Sequence, residues 1–113
     1  MDVLSQVEVE QELMRLSQMA EKALQELAKR ARAAAEAEVA HKVARAKALL
    51  AAEGTVAERE ALADVQTERL FLQRRMAEAL LLSAQEAGRT YRAQLEAIRS
   101  VNVNLRGLVT EGR

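Results

Sequence analysis

The chain has no cysteine and no proline, and among its 113 residues only one phenylalanine, one tyrosine and one histidine. Without cysteine there is no disulfide framework, no thiolate zinc site and no cysteine nucleophile. Without a second histidine or a cysteine, the lone His41 has no neighbours of the type needed to complete a metal site, and no cofactor is expected. Phe71 and Tyr91 are too few and too far apart for the aromatic platform on which single strands stack. Net charge is absent as well, since 17 basic residues cancel 17 acidic ones, so no global field draws the chain to nucleic acid or an anionic membrane. No apolar run approaches the roughly 18 to 20 residues of a bilayer span. The opening Met-Asp-Val-Leu-Ser-Gln lacks the basic and apolar regions of a signal peptide, so a reduced, cytoplasmic setting without a membrane partner is the expectation. There is no nucleophile and base pair, no paired-carboxylate pocket and no glycine-rich phosphate loop, which predicts a non-enzymatic protein.

What remains is helix. Half the residues are hydrophobic, many of them alanine, and 30 % are charged, a composition suited to long, solvent-exposed helices. The strongest punctuation is Glu53-Gly54-Thr55-Val56-Ala57-Glu58. Gly54 can take the left-handed conformation that ends a helix, and Thr55 with Glu58 three residues later reads as a capping box. The sequence therefore predicts an all-α, single-domain antiparallel hairpin. Helix one covers about 7 to 53, the turn 53 to 55 and helix two about 56 to 106, with a frayed tail at 107 to 113 beyond Gly107. Gly88, inside helix two, is read as a point of close approach by the other helix, with a kink as the alternative.

On helix one the apolar stripe is Leu13, Leu16, Ala20, Leu24, Leu27, Ala31, Ala35, Val39, Val43, Ala46 and Leu50, at an average step of 3.7 residues. On helix two it is Val65, Leu72, Met76, Leu80, Ala84, Ala87, Tyr91, Leu95, Ile98, Val101 and Leu105. A period above 3.5 predicts straight or weakly right-handed packing. Leu70, Leu81 and Val103 fall outside the second stripe, with Phe71 and Leu82 further round. One partner helix cannot cover both regions, so the hairpin is expected to pack into a homo-oligomeric bundle or ring.

The neutral total hides segregation. Residues 1 to 28 carry a net of −4, residues 29 to 47 a net of +4 and residues 89 to 113 a net of +3. Antiparallel pairing brings the acidic start beside the basic end, and Lys42 and Arg45 opposite Asp64 and Glu68. Two features invite more than pairing. Arg92, Arg99 and Arg106 recur every seven residues, with Arg74 and Arg59 on the same side of the wheel, making a row that serves either carboxylates of a neighbouring helix or phosphates. Glu38, His41, Lys42 and Arg45 interrupt the buried side of helix one, as interhelical ion pairs or as an anion contact from inside an oligomer.

The block Val43-Ala-Arg-Ala-Lys-Ala-Leu-Leu-Ala-Ala-Glu-Gly-Thr-Val-Ala-Glu-Arg-Glu-Ala-Leu-Ala63 and the tail Tyr91-Arg-Ala-Gln-Leu-Glu-Ala-Ile-Arg-Ser-Val-Asn-Val-Asn-Leu-Arg106 resemble a group of small all-helical bacteriophage proteins, similar in layout to the UvsY-type recombination mediators. The resemblance implies a hairpin that assembles into a ring-like oligomer in the host cytoplasm, binds single-stranded DNA through basic residues, and helps load a recombinase onto DNA coated with single-strand-binding protein. By position it points to Lys42, Arg45 and Lys47 as phosphate contacts. The row Arg74, Arg92, Arg99 and Arg106 completes the candidate set. The competing expectation is a structural or regulatory hairpin that binds a protein partner through its apolar side, for instance a phage-encoded inhibitor of a host enzyme.

Overall fold

The first helix is nucleated by a signal that the apolar pattern alone passes over. In the computed structural model, which describes residues 5–111, Ser5 and Glu8 form a reciprocal capping box. Glu8 N donates to Ser5 Oγ at 3.1 Å and Ser5 N donates to Glu8 Oε2 at 3.0 Å. Two otherwise orphaned amide donors are thereby satisfied, and α1 runs Gln6–Ala51. It ends where glycine permits: Gly54 has φ +112°. Thr55 caps α2 (Val56–Gln66), with Glu58 N donating to Thr55 Oγ1 at 3.2 Å. Arg59 then reaches back, donating from Nη2 to the carbonyl of Leu49 at 2.8 Å. A cation thus meets one of the last unpaired carbonyls of α1, where the helix dipole favours it.

Helix two is divided. Thr67 (φ −109°, ψ 13°) separates α2 from α3, Glu68–Glu111. Its hydroxyl donates to the carbonyl of Ala63 at 2.7 Å, competing with the backbone ladder. Threonine bonding back by four residues bends helices, and nothing in the apolar pattern marks this one. At the far end α3 continues through Gly107, past the point where a frayed tail is expected, because a single glycine costs a helix only about 1 kcal/mol. Gly112, like Asp2 of the acidic segment, lies outside the described residues. Among the described residues all regular structure is helical.

The chain divides into two compact units, one formed by the chain up to Leu27 with the chain from Ala84 onward, the other by Ala28–Ser83. In the first, α1 and α3 run antiparallel. Gln6 Nε2 donates to Asn102 Oδ1 at 2.7 Å, while Met19 and Ala23 share a depression with Ala84, Ala87 and Tyr91. In the second, the end of α1 runs antiparallel to α2 and the start of α3: Glu38 pairs with Arg74 and Arg45 with Asp64.

In the first unit the packed positions largely follow the expected stripe; in the second they leave it. In the first unit they are Val9, Leu13, Leu16, Ala20, Ala23 and Leu27 of α1 against Ala84, Gly88, Tyr91, Leu95, Ile98, Asn102 and Leu105 of α3. In the second they are Arg30, Ala34, Ala37, His41, Ala44 and Ala48 against Ala63, Thr67, Leu70, Arg74, Ala77 and Leu81. Every step is three or four and each pair of steps is seven, which is the heptad spacing of left-handed packing and corrects the expected longer period. Leu70 and Leu81, expected off the stripe, lie on the seam. Leu24, Val39, Val43, Leu50, Val65, Leu72 and Met76, expected on it, are exposed. Gly88 is likewise corrected: it stands on the seam, but a Cβ built there meets nothing within 4 Å, so among the described residues it is not a point of close approach.

Candidate nucleic-acid interface

The proposed phosphate contacts sort by whether a carboxylate already holds them. In the second unit, Lys42 Nζ lies 2.8 Å from Glu38 Oε1, one turn back on the same helix. Arg45 Nε donates to Asp64 Oδ1 at 2.8 Å. Arg74 sits on the seam itself, donating from Nε to Glu78 Oε1 at 3.0 Å and approaching Glu38 Oε1 at 3.6 Å. Its Nη1 also lies 3.3 Å from His41 Nδ1. Because a guanidinium only donates, that nitrogen of His41 acts as the acceptor and the imidazole proton resides on Nε2.

The electrostatic consequences follow the geometry. The hydrogen bond from Lys42, then its charge, then that of Arg74, hold the Glu38 carboxyl below the ordinary range. The hydrogen bond to Asp64 and its charge raise Arg45 further above its already high value. Of the cluster Glu38, His41, Lys42 and Arg45, three members meet α2 or α3, Glu38 and His41 through Arg74 and Arg45 through Asp64, whereas Lys42 pairs within α1. Exposed pairs of this kind contribute a few tenths of a kcal/mol each, and their value lies in excluding slipped alignments.

In the first unit Arg106 lies 3.8 Å from Glu10, across the seam. The register that pairs Glu10 with Arg106 sets Ser17 and Leu24, the next residues of the same α1 row, opposite Arg99 and Arg92. Neither can neutralise a cation. Leu24 and Arg92 line a small depression of about 60 Å³ with Ala20, Ala23, Leu27 and Gly88. Among the described residues Lys47, Arg92 and Arg99 make no ion pair. Of the seven candidates, Arg92 and Arg99 share one unit and one row, about 10.5 Å apart at 1.5 Å per residue. Lys47 stands in the other unit, exposed.

A second feature of Ala28–Ser83 was not apparent in the pattern. Thr67, where helix two breaks, opens a cavity of about 430 Å³ lined by His41, Arg45, Asp64, Thr67, Glu68 and Phe71. The His41 and Phe71 rings are 5.5 Å apart and tilted by 57°. The only signal in the sequence was the coincidence of its single phenylalanine with its single histidine across the hairpin.

Among the described residues no group of three or more histidine, aspartate or glutamate side chains could hold a metal ion, and no helix is long and apolar enough to cross a membrane. No protein family, curated protein or solved structure matches the chain.

Proposed function

We propose that this chain is a non-enzymatic, self-associating helical protein that holds the backbone of single-stranded DNA and assists the loading of a recombinase, in the manner of the mediators its turn and tail motifs resemble. The observation that carries the reading is where the large apolar residues stand in Ala28–Ser83. Of the twelve seam positions in that unit six are alanine and four are Arg30, His41, Thr67 and Arg74, leaving Leu70 and Leu81 as its only large apolar residues. Facing outward instead are Val39, Val43 and Leu50 on α1, and Leu62, Val65, Leu72 and Met76 on α2 and α3, with Leu50 83 % and Val65 70 % exposed.

A helix pair that keeps alanine inside and leucine outside is half of a larger bundle, because burial of apolar area is the main favourable term in both folding and association. Copies of the chain supply the missing layer. Assembly then repeats Arg92, Arg99 and Lys47, the candidate residues that no carboxylate holds among the described residues, and avidity raises the affinity of weak phosphate contacts. Binding of this type is indifferent to sequence and strongly salt dependent.

Light scattering at micromolar concentration should report a mass well above 12.5 kDa, and a fluorescent single strand should be bound at about 50 mM salt and released as salt rises. A protein that assembles but binds no strand at low salt would favour the second reading, a hairpin that offers the same outward apolar face to a protein partner.

A further inference from the structure

We infer that copies of this chain join head to tail through Ala28–Ser83, the outward row of α1 in one copy seated on the outward row of α2 and α3 in the next. This contact rests on the self-association proposed above and specifies which faces meet. On α1 the exposed Val39, Val43, Ala46 and Leu50 each stand two residues after a seam residue, namely Ala37, His41, Ala44 and Ala48. Two steps of about 100° turn through about 200°, so this row points almost straight away from the seam. On α2 and α3 the exposed Val65, Leu72 and Met76 stand two residues after Ala63, Leu70 and Arg74, with Arg69 in the same row after Thr67. Since the two seams face each other, the two outward rows lie on opposite edges of the helix pair. A two-fold dimer through one edge would leave the other open.

The edges also match in height. Arg45 with Asp64 and Glu38 with Arg74 set residues 39 to 50 of α1 beside roughly 60 to 72 of α2 and α3. Val65 and Leu72 lie in that stretch. Copies placed side by side at one height, all pointing the same way, therefore bring the α1 row of one against the Val65 and Leu72 row of the next, running antiparallel.

Charge selects this pairing over the pairing of like edges. Residues 39 to 50 contain Lys42, Arg45 and Lys47 and no carboxylate, so two α1 edges face to face would set cation against cation. Two of the other edges, centred between Val65 and Leu72, would bring Glu68 against its own copy. Within the unit Arg45 and Asp64, each directly after a seam residue, meet at 2.8 Å, so like flanks come together in antiparallel packing. Lys42 directly precedes Val43, and Glu68 directly precedes Arg69. They stand on like flanks at one height, and Glu68 makes no ion pair among the described residues. Lys42 is 63 % exposed although Glu38 holds it, which leaves donors for the Glu68 of the next copy. Lys47, on the other flank, comes beside Gln66 and Gln73 and stays open to phosphate.

The test uses the full chain without nucleic acid, by multi-angle light scattering at micromolar concentration. The wild-type protein should contain at least three copies, because a head-to-tail pair keeps one edge of each kind unpaired. Val43→Gln with Leu50→Gln removes one edge and Val65→Gln with Leu72→Gln the other, at side chains 47 to 83 % exposed. Each variant alone should be a helical monomer, and an equimolar mixture should form a one-to-one dimer through the two intact edges. A dimer of either variant by itself, or a mixture that stays monomeric, would overturn head-to-tail joining while leaving self-association intact. A monomeric wild type would remove the self-association on which the reading above depends, and this contact with it. Charge reversal tests the same contact without touching the apolar rows. Lys42→Glu and Glu68→Lys should each weaken association about twofold to fivefold, the range of an exposed ion pair, and the double variant should recover it. A double variant no better than the singles would overturn the assigned pairing of edges.

Discussion

Gly88→Ala should make the protein more stable, which is opposite to the usual result of replacing a glycine that faces a packed helix. The backbone there is ordinary α-helix: among the described glycines only Gly54 has positive φ. A Cβ at position 88 meets no atom within 4 Å and projects beside a gap of about 60 Å³ lined largely by Ala20, Ala23, Leu24 and Leu27. Helix propensity alone favours alanine by about 0.8 to 1.0 kcal/mol. Covering the new methyl in a half-buried apolar site adds up to about 0.4 kcal/mol, half the value of a fully buried methylene. The total, roughly 1 to 1.5 kcal/mol, raises Tm by about 4 to 8 °C in a domain near this size.

The assay is a thermal melt by circular dichroism with both proteins at the same concentration, since Tm of an assembling protein depends on it. Hydrogen exchange locates the gain. Amides around 84 to 95 should slow by about fivefold or more if they open with the unit they belong to. A lower Tm for Gly88→Ala would show that bare backbone at 88 is contacted from outside the chain, and that the gap is filled in the assembly.

The remaining predictions concern the turn, the ion pairs and the cations. Gly54→Ala places a side chain at φ +112°, a strain of roughly 1 to 3 kcal/mol that a continuous helix relieves, so helicity should persist while size-exclusion chromatography shows a domain-swapped form. Leu16→Ala, at a side chain only 2 % exposed, should cost about 2 to 5 kcal/mol in urea unfolding, and a loss under about 1 kcal/mol would deny that the heptad seam is packed there. Glu38 has its pKa depressed in the folded state, so its contribution is present above the ordinary carboxylate range and is lost as pH falls through the folded value. Glu38→Gln should therefore flatten the fall in Tm between neutral and acid pH, and a variant that follows the wild-type pH profile would remove Glu38 from the account. Arg92→Gln with Arg99→Gln should weaken strand binding without altering assembly, whereas Lys42→Ala with Arg45→Ala should mainly lower Tm; the reverse pattern would invert the assignment of structural and free cations.

How far the sequence could be read depended on which residue types carried each feature. The turn was legible because Gly54, Thr55 and Glu58 are specific: a glycine free to take positive φ, set directly before a side-chain cap, stops one helix and starts the next. Ser5 and Glu8 have the same spacing and were legible too, but the apolar stripe drew the helix start towards Val7. In Ala28–Ser83 the seam was misplaced because alanine is silent. Following large residues from Leu16 to Leu24, Val39 and Leu50 drifts across the helix surface, while the packed row Ala34, Ala37, Ala44 and Ala48 keeps the heptad. Alanine marks both a helix-favouring surface and a close helix contact, and only its spacing against polar seam residues such as His41 and Arg74 distinguishes them. Thr67 illustrates the other limit, since its bond to Ala63 depends on a rotamer that sequence does not state.

The misplaced stripe and the candidate interface have one physical cause. Where the seam is built from alanine, helices approach closely and bury little area each, so large residues placed outside are available to a further layer. Where the seam holds Val9, Leu16, Tyr91, Leu95 and Ile98, fewer large apolar residues stand outside: Val7, Met14, Leu24, Val101, Val103 and Leu108, six against eleven in Ala28–Ser83 among the described residues. Among the described residues, the unit with the larger apolar core also carries Arg92 and Arg99 with no carboxylate to hold them, and the unit with an alanine seam carries Leu72 and Met76 exposed. Association is therefore expected to depend on Ala28–Ser83, and phosphate contact mainly on the other unit. If both activities of the proposed reading are present, variants in the two units should remove them one at a time, which a single merged surface would not allow.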